Sequence, residues 1–147
     1  MSELPSEHSK HPARVAAWRS IDAVARGDKQ AWLDNFADDA IVEDPIGKSY
    51  LDPEGVGHRG KAAIEAFWDA NIARGRPMFN LQHSIVSGNE CANVGTLTVQ
   101  FPNGTVSQLY GVFVYRVDDA GKVTALRTYW ELEQMTMYPP LEERSSG

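Results

Sequence analysis

A chain of 147 residues with a net charge of −6 and no local cluster of Lys and Arg is not a nucleic-acid binder. Its length fits one domain with a sizeable core, and its 42% hydrophobic and 23% charged residues are ordinary for a globular protein. The single cysteine, Cys91, excludes a disulfide framework and a cysteine-based zinc site, and no apolar run approaches the roughly 20 residues that span a bilayer.

Met1–His11 is polar and has no apolar stretch of the secretory type, so a soluble, cytoplasmic protein without membrane insertion is expected. This segment and Pro139–Gly147 lack apolar periodicity and are read as flexible tails around a single domain at 12–138. His8 and His11 are read as solvated, since a metal site needs more ligands in fixed geometry; no metal or cofactor is expected.

Pro12 opens a first helix whose Val15, Trp18, Ile21 and Ala25 share a side, with Gly27 as its stop and Ser20 at the edge of the stripe. Asp28 caps a short second helix with Trp32, Leu33 and Phe36 on one face. A short strand then ends at Asp44-Pro45. Alternation puts Val42 and Asp44 on one face and Ile41 and Glu43 on the other. If Val42 faces the core, Asp44 points inward at the rim of the interior. There desolvation raises its pKa and makes it a candidate general base. The competing reading is a turn aspartate before a proline.

Ile46–Gly60 reads as a loop, with Tyr50 a candidate lid residue, and a third helix follows over about Lys61–Ala73. From Phe79 the period becomes two, giving strands near Phe79–Val86, Ala92–Phe101, Thr105–Val117 and Val123–Met137. Asn103-Gly104 marks a hairpin between the middle pair. Three helices followed by long meandering strands predict an α+β fold, a curved antiparallel sheet wrapped around the helices with a pocket between. In the second strand, the Leu97, Val99, Phe101 face is too apolar for water and is expected to bury against a partner subunit. The opposite Thr96, Thr98, Gln100 face is then expected to line the pocket.

The run from Ala25-Arg26-Gly27-Asp28 to Asp44-Pro45-Ile46-Gly47 resembles bacterial ketosteroid isomerases. The likeness continues through Gly60-Lys61-x-x-Ile64-x-Ala66-Phe67 to Tyr115-Arg116-x-Asp118-x-x-Gly121-Lys122-Val123 and Tyr129-Trp130. Ile46-Gly47-Lys48-Ser49 and Met135-Thr136-Met137 are most similar to a mycobacterial branch of isomerase-like proteins. The resemblance implies the cone-shaped fold shared with nuclear transport factor 2 (NTF2-like, SnoaL-like, a cystatin-like roll), with homodimers forming through the convex sheet face. It also implies an aspartate that moves a proton beside a carbonyl, helped by a tyrosine and a protonated aspartate at the enolate oxygen.

Asp44 matches the base. Ser20 stands where the family's tyrosine is expected and Phe113 where its second donor is expected, while Phe36 and Trp68 replace bracing tyrosines. Ser20, Tyr50 and Trp68 are therefore the candidate polar groups for the oxygen. Phe36, Val42, Phe67, Thr96, Thr98, Gln100, Gly111, Phe113, Thr128 and Trp130 are the expected substrate-binding wall. The implied activity is a steroid Δ-isomerase-like proton shift on a lipophilic polycyclic ketone. The alternatives are a non-catalytic binder of a steroid-like molecule, or a hydrolase or dehydratase using His58 or His83 with Asp44.

Overall fold

The computed structural model describes residues 10–141, so of the tails expected at 1–11 and 139–147, residues 1–9 and 142–147 lie outside the described residues. Helix α1 (Pro12–Arg26) begins where Pro12 needs no amide partner, and Gly27 closes it in the left-handed conformation. His11, expected in a solvated tail, is instead the cap. Its Nδ1 accepts from the Ala13 amide at 3.1 Å, and its Nε2 meets the Gly88 carbonyl at 3.0 Å.

Helix α2 (Lys29–Asp34) starts at the Asp28 side chain, which accepts from the Ala31 amide. Phe36 does not continue it. The Asn35 side chain donates to Ala16 O, and Asn35 O accepts from Val123 N, which turns the chain into strand β1 (Phe36–Glu43). Helix α3 (Lys61–Ala70) ends earlier than predicted, where Asn71 Nδ2 bonds the Phe67 carbonyl, and a 3₁₀ turn follows at Ile72–Arg74.

The remaining strands are β2 (His58–Arg59), β3 (Arg76–Ser87), β4 (Glu90–Gln100), β5 (Val106–Val117), β6 (Val123–Tyr129) and β7 (Thr136–Tyr138). They form one curved sheet in the order β2-β1-β6-β5-β4-β3, with β7 also on β5. The β1–β6 contact is parallel and the other pairings are antiparallel. β2 lies inside the segment expected to be all loop. The long strand predicted over Val123–Met137 is broken by a 3₁₀ turn at Leu132–Gln134; β6 and β7 pair with successive stretches of β5 on either side of the break.

The helices cover one face of this sheet. Trp32 packs edge-on against Phe36 at 4.8 Å and tilted on Trp68 at 5.2 Å. Val42 and Ile64 are fully buried beside them. Phe36, Val42 and Trp68 are therefore core, not pocket wall.

The faces of β4 are opposite to the expectation. Alternation defined two faces but not which looked inward. Cys91 and Asn93 decide it: both are fully buried, and Asn93 Nδ2 donates to Phe113 O. β4 keeps its register with β5 throughout, so every odd position follows them inward. Leu97, Val99 and Phe101 line the interior. Thr96, Thr98 and Gln100 lie on the outer face, where Thr98 Oγ1 accepts from Gln108 Nε2. The proposed subunit contact through Leu97, Val99 and Phe101 fails for the same reason.

A crease crosses the sheet at one level. Gly95 and Gly111 pair directly, and β3 bulges between Leu81 and His83 beside them. A Cβ on Gly95 would stand 2.2 Å from Asn80 O, and one on Gly111 would stand 2.6 Å from Tyr129 O. Only glycine lets neighbouring backbone come that close.

Candidate active site

Between the helices and the concave face lies a cavity of about 650 Å³. Asp44 is presented to it from the end of β1, on the same face as Val42, with Thr128 of β6 and Trp130 just beyond β6 beside it. Thr128 Oγ1 donates to Asp44 Oδ1 at 2.5 Å, and Trp130 Nε1 donates to the same oxygen at 3.0 Å. Oδ2 accepts no hydrogen bond among the described residues. Burial raises the Asp44 pKa above its ordinary value of 3.8, opposed in decreasing order by the Thr128 and Trp130 hydrogen bonds and the nearby His58. The carboxylate is thus held in place on the cavity wall through one of its two oxygens.

A second polar group sits on α1. Ser20 is 1% exposed, lines the cavity, and its Oγ accepts from Trp32 Nε1 at 3.1 Å and from Tyr115 Oη at 2.9 Å. Two donors occupy the two lone pairs of that hydroxyl, so its own proton is left to donate elsewhere. Burial lifts the Tyr115 phenol well above its usual range, so it remains a donor. Tyr115 was not among the predicted site residues, although it shares its strand face with Phe113. The strand alternation alone pointed to it.

Asp44, Ser20, Tyr50, Phe67, Phe113, Thr128 and Trp130 all line the one cavity, whereas Phe36, Val42, Trp68, Thr96, Thr98, Gln100 and Gly111 do not. Trp68 is buried against Trp32 and reaches no oxygen site. Tyr50 is 65% exposed, at the cavity mouth. Phe113, buried and edge-on to Phe79 at 5.3 Å, makes apolar the place where a second donor was expected. The wall also includes Phe79, Leu97, Leu109, Leu126 and Met135. His58 packs at a tilt against Phe67, with ring centroids 4.7 Å apart, and His83 is exposed on β3; neither lines the cavity. No helix among the described residues is long and apolar enough to cross a membrane.

A curved, unclosed sheet around a few helices, with an inward carboxylate and an apolar cavity, defines a small-molecule site of the NTF2-like type. The SnoaL-like domain family matches residues 17–126, and the chain belongs to it. It is 29% identical over 126 residues to the steroid Δ-isomerase of Nocardioides simplex, covering 86% of this chain and 95% of that protein. A Δ5-3-ketosteroid isomerase from a Mycobacterium species is 44% identical, with a TM-score of 0.83 over 87% of this chain and 99% of that one. Rv0760c of Mycobacterium tuberculosis is 40% identical, with a TM-score of 0.83 over 87% and 97% of the two chains. Rv0760c also has a structure in complex with estradiol-17β-hemisuccinate.

Proposed function

We propose that the protein binds a steroid-like polycyclic ketone and catalyses a slow double-bond migration in it, with Asp44 as the base. The observation that carries this reading is the Asp44 carboxylate, pinned through Oδ1 and free at Oδ2, on an apolar cavity of about 650 Å³. Asp44 takes a proton from the carbon between carbonyl and double bond. The electron pair moves onto the carbonyl oxygen to give a dienolate. The Ser20 hydroxyl donates a hydrogen bond to that oxygen, with its lone pairs held by Tyr115 and Trp32. The protonated Asp44 then returns the proton at the far end of the conjugated system, and the double bond has moved. Steroid-acting relatives and a steroid-bound neighbour support the same ligand class.

The turnover is slow because Phe113 removes the second donor, and one lost donor of this kind costs about 10²–10³ in rate. The same ring favours a second reading, that the protein only binds its ligand. Titration of a β,γ-unsaturated 3-ketosteroid by Trp fluorescence, with an assay of its conversion to the conjugated ketone, separates them. Binding with turnover that falls about 10²–10⁴-fold in a folded Asp44→Asn variant supports catalysis. Binding without turnover in the wild type supports the binder, and wild-type turnover in Asp44→Asn removes Asp44 as the base.

We also propose a homodimer through the outer sheet face. That face carries Ile85 and Tyr110, 60% and 59% exposed, with Val94, Val112 and Val114 between them. Sedimentation at micromolar concentration should give a dimer, and Val112→Glu should give a folded monomer. A monomeric wild type overturns the proposal.

A further inference from the structure

We propose that Ser107 forms a second polar subsite in the cavity, so that the preferred ligand carries a hydrogen-bonding oxygen on the ring farthest from its ketone. This rests on the reading that the ketone lies beside Asp44 and Ser20.

Seven polar or charged residues are buried among the described residues. Burying such a group without a partner is costly, and six of the seven have one. Arg14 donates to Ser84, Ser20 accepts from Trp32 and Tyr115, and Asn35 donates to Ala16 O. Asp52 accepts from the Gly55 and Gly57 amides, Asn93 donates to Phe113 O, and Thr128 donates to Asp44. Ser107, 6% exposed, is the exception, because its Oγ makes no hydrogen bond among the described residues. Trp18 Nε1 and His58 Nε2 also lack a partner, but both are sealed from solvent and neither residue lines the cavity. Ser107 Oγ is not sealed in this way, and the residue lines the cavity.

Alternation along β5 turns Ser107 to the same inner face as Leu109, Phe113 and Tyr115. In the ladder it is flanked by Val99 of β4 and Met137 of β7, both apolar and both on the cavity wall. Alanine would pack into this wall as well as serine does. The hydroxyl adds an unmet donor and acceptor facing the space a ligand would fill.

The register places this hydroxyl relative to the proposed reacting centre. Thr128, which holds Asp44, pairs with Phe113, and Ser107 lies six residues further along β5. That is roughly 20 Å along the strand at about 3.3 Å per residue. The straight-line distance is shorter, because the crease at Gly111 falls between the two. A single ring held at Asp44 stops short of Ser107. A rigid fused-ring skeleton extends toward it and delivers an oxygen there without the cost of ordering a flexible chain.

The test titrates two 3-oxo-4-ene steroids by Trp fluorescence, one with a 17β-hydroxyl and one with no oxygen on ring D, into the wild type and Ser107→Ala. The substitution should weaken binding of the hydroxylated compound about three- to tenfold and leave that of the deoxygenated one unchanged or slightly tighter. A ratio of the two affinities that is the same in both proteins overturns the subsite and leaves the polycyclic-ketone reading in place. A lower Tm in Ser107→Ala with that ratio unchanged assigns the hydroxyl to the fold and overturns it equally. If neither compound binds the wild type, the polycyclic-ketone reading falls and takes the subsite with it.

Discussion

The inner and outer ends of the cavity are built on different principles. At the inner end, each polar side chain is fixed by another: Thr128 and Trp130 fix Asp44, and Trp32 and Tyr115 fix Ser20. At the outer end, Leu132 and Met137 are 44% and 55% exposed, Tyr50 is more exposed still, and their side chains make no polar contact among the described residues. Hydrogen-bonded groups hold one geometry and suit a reacting centre, while exposed side chains with no polar partner, Met137 above all, adapt to shape. On the proposed function, chemistry belongs to the first region and ligand accommodation to the second.

The largest effect expected of a change that tests this division is at Ser20. Ser20→Ala should lower kcat by about 10²–10³ if its hydroxyl serves the enolate oxygen. It also orphans Trp32 Nε1 and Tyr115 Oη, at about 1–3 kcal/mol each, so a lower Tm should accompany it. Tyr115→Phe removes only the donor to Ser20 and should cost about tenfold in kcat. A Tyr115→Phe loss as large as that of Ser20→Ala would make the phenol itself the donor.

The next effect is on pH dependence. Burial raises the folded-state pKa of Asp44, so the folded protein binds that proton more readily than the unfolded chain. The stability this protonation contributes is fully present below the ordinary value of 3.8 and is lost as pH rises through the raised folded value. Over the same window kcat/KM should rise, since the proposed catalysis needs the carboxylate. Denaturation midpoints measured from low to neutral pH should show the decline in the wild type and lose it in Asp44→Asn. An unchanged slope in the variant would place the buried proton elsewhere.

The smallest effect is expected at the mouth. Met137→Ala should weaken steroid binding by about threefold and leave kcat within a factor of two, since a half-exposed side chain gives up little apolar area. A drop in kcat with KM unchanged would mean that the outer wall takes part in the chemistry.

The sequence made the fold legible because its signals were strong ones: amphipathic helices with their caps, period-two strands, and a hairpin at Asn103-Gly104. Asp44 was legible from alternation with Val42 and the proline that follows. What alternation cannot supply is the sign of a face. For β4 the choice fell to Asn93, a buried polar residue whose partner is 20 positions away, and apolarity alone chose wrongly. A cavity wall and a subunit contact both require exposed-looking hydrophobic side chains, and composition does not distinguish them. The Ser20–Tyr115 bond spans 95 positions, and local spacing carries no trace of it. The break after Tyr129 was hidden because Leu132, Met135 and Met137 keep a strand-like apolar character through the turn.

The glycine crease has a consequence for what the protein can accept. Gly95 and Gly111 add no side chain to the wall, yet the strands on either side of them close on one another only because those two positions are bare. The width of the chamber is therefore a property of main-chain bending rather than of the groups that touch a ligand. Moving the bend along the strands would change the size of molecule this chamber admits while leaving Asp44 and Ser20 where they are.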